Sequence, residues 1–522
     1  MKRGQCIVIA VLTLILVGGA FAQQETKTIT LSLETCIIKA MENNLGVAIE
    51  VLNPELAEIS IAAAREKFLP DLSLNYNRRD TNSASYSFLD AAETVATLYS
   101  DYGAVLNQAL PTGGSFSVTV DNYKNESNRS FQSINPRYGS TLTFDFTQPL
   151  LKNFGYKNSR KDIIVANNNL AISEKDFETA LQDTIYSVEE AYWNLVYSQE
   201  LLKVRRQSLE LARDLLEKNQ RAVEVGTLAP IEILNAQATV ATREADILDA
   251  EAQVKNNEDI LKTRINLTAE EEYAEEMELI PADRPGYERK EVRLQEALSI
   301  AMKNRPDLQA ARIALKNREI DFGFAKNQML PDLSLRASYW SPGVSGDQIL
   351  YKDNNAFSGI VVGVLPGGFS DALKDAVNFR YKNWQIGLTL SVPFNTFLSR
   401  ANYAQARVNL EQSQLNLKNQ EQQIFLEIKN AVRAVQTNYK RVLAYRAARE
   451  LSEKQLEAEE EKLKVGLTTN YFVLQYQTDL ATAQSTELKA LIDYNLSLAN
   501  LNRVLGTSLE EKSISTRAML AN

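Results

Sequence analysis

FETALQDTIYSVEEAYWNLVYSQELL, residues 177–202, places apolar side chains at Phe177, Leu181, Ile185, Val188, Tyr192 and Leu195. Steps of four and three residues make a helical seam that packs along a neighbour, with Gln, Asn, Lys and Glu on the other faces. The seam belongs to a long arm, because neither proline nor glycine occurs from Asn158 to Glu224. The arm turns at Val225-Gly226-Thr227 and returns to about Leu267. A second arm starts near Arg400, runs to Lys464, turns at Val465-Gly466-Leu467 and returns to about Leu505. Within it Ile424, Ile428, Val432, Val435, Tyr439 and Val442 keep almost the same rhythm. A shift of 240 superposes Arg160 on Arg400, Gly226 on Gly466 and Leu261 on Leu501. Each ascending arm is about 65 residues, on the order of 100 Å of helix. An antiparallel bundle, a filament or helices ringed around water would all use such a seam.

The duplication extends upstream. Leu31–Ala40 aligns with Val292–Ala301, and Leu69-Pro70-Asp71-Leu72-Ser73-Leu74 recurs as Leu330-Pro331-Asp332-Leu333-Ser334-Leu335. Each half therefore reads as a short helix, a helix of about 23 residues, Leu-Pro, a strand, a variable stretch, a strand, a proline and a long helical hairpin. The boundaries are 23–267 for the first repeat, with hairpin 158–267, and 292–507 for the second, with hairpin 400–506. Residues 268–291 form an acidic linker expected to be a solvated loop, and 508–522 a tail.

Strands are expected near 71–79, 140–148, 332–340 and 384–392, from alternation of period two. Leu72, Leu74 and Tyr76 alternate with Ser73, Asn75 and Asn77, and Ile386, Leu388 and Leu390 with Gly387, Thr389 and Ser391. This fits a half-buried sheet in water and equally a barrel wall with lipid outside and water inside. Four strands cannot close a barrel, and open edges are not tolerated in lipid, so a membrane reading requires several chains. Between the first two strands, Phe116, Val118 and Val120 alternate after Pro111-Thr112-Gly113-Gly114; the stretch 77–138 reads as an exposed hairpin loop or as further membrane strands. Pro70, Pro149, Pro331 and Pro393 mark strand–helix junctions, where a residue that cannot continue a helix fits. Tyr339, Trp340, Tyr381 and Trp384 fall at expected strand ends, as interfacial aromatics would.

Lys2 and Arg3 precede an apolar run over Ile7–Val17 and a small-residue site at Ala20-Phe21-Ala22, so residues 1–22 read as a secretory signal peptide. The formal charge of −9 becomes about −11 without those two cations, which argues against nucleic acid as a partner. Histidine is absent and only Cys36 follows the signal peptide, so Ser-His-Asp, Cys-His and HExxH chemistry and thiol metal clusters are excluded. No enzyme, cofactor or metal site is expected.

Together these features resemble the TolC-like outer-membrane efflux proteins. The resemblance rests on Val225-Gly226-Thr227-Leu228-Ala229-Pro230 with Ile233-Leu234-Asn235-Ala236-Gln237, and Val465-Gly466-Leu467 with Val473-Leu474-Gln475. It also rests on Leu69-Pro70-Asp71-Leu72, Thr147-Gln148-Pro149-Leu150, and Trp384 leading into Gly387-Leu388-Thr389-Leu390. It implies a mixed α and β membrane protein: a homotrimer with a 12-stranded outer-membrane β-barrel continuous with a long periplasmic α-barrel of coiled-coil helices. It further implies a passive exit duct for efflux or type I secretion, in contact with outer-membrane lipid, a periplasmic adaptor protein and an inner-membrane pump or ABC transporter. The adaptor-docking tips would be Val225, Gly226, Thr227, Leu228 and Ala229, and Val465, Gly466, Leu467, Thr468 and Thr469. Where some relatives place acidic rings, this chain has Phe472 and Gln475, with Glu232 and Asn235 in the first hairpin, as a candidate periplasmic gate. The alternative is a periplasmic coiled-coil structural or tethering protein without channel activity, which leaves the strands and their prolines unexplained.

Overall fold

In the computed structural model, residues 28–87, 90, 92–267 and 277–520 are described; the expected signal peptide and most of the acidic run at 268–276 lie outside them. The chain begins with β1 (Thr28–Leu31), α1 (Leu33–Asn43) and α2 (Leu45–Glu66). Four strands follow: β2 (Asp71–Ala84), β3 (Thr94–Ala109), β4 (Ser115–Ser127) and β5 (Ile134–Pro149). Next come the single turn α3 (Tyr156–Ser159), the long helix α4 (Lys161–Glu224) and its return α5 (Ile231–Arg264). The second half has β6 (Glu278–Pro281), α6 (Leu294–Asn304), α7 (Pro306–Asn327), β7 (Asp332–Tyr351), β8 (Val361–Leu365), α8 (Phe369–Val377) and β9 (Asn383–Ser391). It closes with α9 (Phe397–Lys464), α10 (Asn470–Leu505) and the short α11 (Ser508–Glu511) and α12 (Thr516–Leu520).

Both long arms are single helices, of 64 and 68 residues. Their seams are dry: Phe177, Leu181, Ile185, Val188, Tyr192 and Leu195 are all buried, as are Ile424, Ile428, Val432, Val435 and Val442. None of the helices among the described residues is long and apolar enough to cross a membrane.

The chain divides into two compact units. One comprises the sheet with α2, α7 and the strand-proximal parts of α4 and α9. Its strand order is β2-β3-β4-β5-β7, with β8 and β9 both paired to β7. The sheet pairs are all antiparallel. Polar links hold its helices together: Asn168 donates to Asn317, which donates to Asn169 at 2.9 Å, and Lys161 pairs with Asp321 at 3.1 Å.

Strands β2, β5, β7 and β9 lie over the four stretches of alternation, and β2, β5 and β7 run past 79, before 140 and past 340 respectively. The stretch after residue 77 extends the sheet: β2 continues to Ala84, and β3 and β4 insert between β2 and β5. Tyr339 and Trp340 are therefore mid-strand, because β7 continues to Tyr351; Trp384, opposite Tyr339, does sit at the start of β9.

The other unit contains α1, α5, α6, α10 and the remaining parts of α4 and α9. Here β1 and β6 pair in parallel, Thr28 with Glu278 through Leu31 with Pro281. The solvated-loop expectation for the linker fails in this segment: Met277 and Leu279 are buried, and apolar burial outweighs the neighbouring charge. Buried Glu258 fixes the strand, accepting from Leu279 N at 3.0 Å and pairing with Lys262 at 3.1 Å. Tyr192 and Asp283 close the other side: the Tyr192 hydroxyl donates to Asp283 Oδ2 at 2.8 Å, and that oxygen accepts from Leu33 N at 2.7 Å at the start of α1.

Candidate functional site

Cross-strand register decides what the sheet can do. Partners lie on one face of a sheet, and successive residues on opposite faces. One row runs Leu72, Leu106, Val118, Phe144, Tyr339 and Trp384 across six strands. The row beside it includes Leu74, Ala104, Val120 and Leu142, and a further row Phe116, Phe146, Ala337 and Ile386. Phe116 and Phe144 stack along this face at 6.4 Å. The opposite face carries Ser73, Val105, Thr119, Thr143, Trp340 and Asn383 in one row, and Asn107, Ser117, Asp145, Ser338 and Gln385 in another. In these helix-proximal rows one side is largely apolar and the other predominantly polar; farther from the helices the first side carries Arg78, Ser100 and Lys124.

On the apolar side, α8 covers the upper part of β5 and β7. Phe379, just beyond it, meets Phe144 and Tyr339 with ring centroids 6.2 and 5.5 Å apart, and Phe369 meets Tyr102 at 5.4 Å. Beneath lie Ser140, which donates to Asn122 at 2.7 Å, and Ser341, all three buried. The helix thus hides polar atoms that would otherwise interrupt the apolar wall.

On the polar side, a ladder crosses four strands: Arg79 lies over Tyr99 at 5.6 Å, Tyr99 stacks on Tyr123 at 5.7 Å, and Arg137 lies over Tyr123 at 5.4 Å. Asp71, Asp101, Asp121, Asp145 and Asp332 share that face with Arg79, Arg137 and Arg336, so carboxylates outnumber guanidiniums.

Pro70 precedes β2, Pro149 ends β5, Pro331 precedes β7 and Pro393 follows β9. At all four, the chain passes between strand and helix.

The hairpin tips are built alike. Gly226 has φ +77° and Gly466 φ +75°, the left-handed conformation that ends a helix without a Cβ penalty. Thr227 N donates to Ala222 O and Gly226 N to Val223 O, while Leu467 N donates to Lys462 O and Gly466 N to Leu463 O. These paired bonds are the Schellman closure. Val225 and Leu467 are exposed at 74% and 77%, leaving apolar side chains at both tips; Thr227, Ala229, Val465 and Thr469 are also exposed, and Leu228 half-buried. Thr468 differs, because its hydroxyl is held by the carboxylate of Glu459.

Along the first turns of α10, Val473, Gln477 and Leu480 are buried, Val473 and Leu480 in a cluster with Leu215 and Leu456. Phe472, Gln475 and Asp479 face outward, and Gln475 donates to Asp479 Oδ1 at 3.0 Å. Glu232 is half-buried and Asn235 exposed on α5. Asp479, not among the candidate gate residues named from the sequence, lies four residues after Gln475 on the same helical face. Among the described residues no cluster of metal-ligating side chains occurs.

A sheet with one apolar and one polar face, joined to doubled helical hairpins, defines the class. The family model for outer membrane efflux proteins matches residues 37–266 and 297–507, and the chain belongs to that family of non-enzymatic transport conduits. It is 24% identical over 400 residues to the outer membrane protein TolC of Vibrio cholerae, covering 75% of this chain and 82% of that one. It is 21% identical over 374 residues to the alkaline protease secretion protein AprF of Pseudomonas aeruginosa, covering 71% and 69%. Its fold matches the crystal structure of the Campylobacter jejuni CmeC outer membrane channel with a TM-score of 0.64 at 16% identity, covering 94% of this chain and 88% of that one.

Proposed function

We propose that the chain is one subunit of a trimeric, periplasm-spanning exit duct in the outer membrane, serving efflux of small molecules or type I secretion. The observation that carries this reading is the two-faced sheet whose outer strands β2 and β9 each have one edge unpaired among the described residues. Strands β2 and β9 are exposed along almost their whole length, with Leu74 at 75% and Trp384 at 71%. In lipid such edges must be paired, and identical copies supply the partners. Each chain would consist of two structural repeats, 23–267 and 292–507. The helical hairpins would line the periplasmic duct, and their tips would dock a periplasmic adaptor coupled to an inner-membrane pump or ABC transporter. Phe472, Gln475 and Asp479 would face the duct axis as its constriction, with Glu232 and Asn235 contributing from the first hairpin.

Docking is tested by in-cell photo-crosslinking from Leu467, an exposed position whose replacement leaves the Thr468–Glu459 bond intact. Capture of an adaptor is the expected result. An intact trimer in detergent that captures no adaptor would remove the tips as the docking surface.

A further inference from the structure

The barrel implied by four strands per chain has twelve strands, yet six strands of this seven-stranded sheet, β2, β3, β4, β5, β7 and β9, pair side by side, with only the short β8 added on the β9 side of β7. Building on the trimeric reading, we propose that β3 and β4 are wall strands, so that three copies close an eighteen-stranded barrel by pairing β9 of one copy with β2 of the next.

Three observations carry the proposal. First, β3 and β4 span the same height as their neighbours. The turn between them, Leu110–Gly114, returns to the helix-proximal end, where Gly155 N donates to Thr112 O at 2.9 Å and Ser159 donates to Leu110 O at 3.4 Å. A hairpin folded outside the wall has no reason to reach that end. Second, both strands keep the parity of the wall, with Leu106, Val118 and Val120 continuing the apolar face and Asn107, Ser117 and Thr119 the polar one. Third, β2 runs away from the helices and β9 towards them, so pairing the two edges gives an unbroken antiparallel ring, as closed outer-membrane barrels require.

The consequence is a wider duct. With strands about 4.8 Å apart and tilted about 40°, twelve give a backbone radius of about 12 Å and eighteen about 18 Å. A ring of twelve helices, four from each copy, packed about 9–10 Å apart has a radius of about 17–19 Å. The eighteen-stranded ring therefore meets the helices with little taper. Its open cross-section is about twice that of twelve strands, a size class in which barrels leave an aqueous channel.

The test is electron cryomicroscopy of the full-length protein in lipid nanodiscs, together with thiol labelling of single-cysteine variants. The expected map has three copies and eighteen strands. Val118→Cys should then resist an aqueous maleimide and react with a membrane-partitioned one, whereas Thr119→Cys should react with the aqueous reagent. Buried Cys36 keeps the background low. A twelve-stranded wall with β3 and β4 outside it, or aqueous labelling at both positions in a membrane-inserted trimer, would overturn the proposal while leaving the duct intact. Failure to insert at all would overturn both.

Discussion

Gly113 sits against the chain that leads into the first long helix: a Cβ added to it would lie 2.3 Å from the Asn153 carbonyl oxygen. Its φ of +96° adds a backbone reason for glycine. Gly226 shares the positive φ, but open space surrounds its missing Cβ. Gly226→Ala should therefore cost about 1–2 kcal/mol, the price of left-handed backbone alone. Gly113→Ala should cost more, because Asn153 backbone must also move. Unfolding of the two variants in detergent, monitored by circular dichroism, checks the order; equal losses would mean that the β3–β4 turn is not seated as described.

The Glu258–Lys262 pair holds β6 in place, with Lys262 also donating to Met277 O at 2.5 Å. Both side chains are almost fully buried, so removing Glu258 leaves the Lys262 ammonium without a counter-charge, held only by the Met277 carbonyl. Glu258→Ala should lose about 3–5 kcal/mol, and replacing both by apolar residues of similar volume should recover much of it. A double-mutant cycle in denaturant measures this; a loss below about 1 kcal/mol would show that the strand is anchored by Met277 and Leu279 alone.

Burial, with a smaller contribution from the Asp283 carboxylate, pushes the Cys36 thiol up from 9.0 to about 12. The folded state holds this proton more tightly than the unfolded chain, so the stabilisation is complete below pH 9.0 and is lost as pH rises towards 12. Tyr192, raised mainly by burial, acts in the same direction above pH 10.0. Native protein should resist thiol alkylation at neutral pH and lose stability progressively above pH 9.0, and Cys36→Ala should flatten that decline. Rapid alkylation without denaturant would contradict the buried site.

Asp176 has the same sign at acid pH. Partial desolvation, then Glu50 and Asp307, raises the carboxyl of this solvent-exposed residue above the usual 3.8. The associated stability is present below that value and lost as pH rises through the folded-state pKa, leaving an unfavourable carboxylate at neutral pH. Because Asp176 is exposed, Asp176→Asn should raise the melting temperature only slightly at pH 7 and less still near pH 3.8. An unchanged difference between the two would assign the gain to something other than ionisation.

Much of this architecture is legible in the residues. The proline- and glycine-free arms, the 4-4-3-4-3 seam and the two turn glycines are local signals, and the helices and caps follow them. The strand at 332 was legible because alternation is local as well. Whether Phe116, Val118 and Val120 belong to a separate hairpin or to the main sheet was not, because both give the same alternation and only pairing with β2 and β5 separates them. Strand β6 was hidden by the acidic run before it, since charge density masks a four-residue apolar segment. Helix α8 left a signal in Phe369, Ala372, Leu373 and Ala376, spaced for one helical face, inside a stretch otherwise rich in turn residues. At the tips the glycine geometry could be read directly, whereas Asp479 emerged only once the outward face of α10 was known.

Copies of this chain are expected to form a water-filled duct across a membrane. The direct measurement is current through a planar lipid bilayer after adding detergent-purified, full-length protein. Discrete conductance steps from a trimeric species are expected. The reversal potential should favour cations, because carboxylates outnumber guanidiniums on the sheet's polar face, and the preference should shrink once Asp101, Asp121 and Asp145 are changed to Asn. A protein released from membranes by salt alone, giving no steps at any voltage, would contradict the account and leave a periplasmic coiled-coil rod in its place.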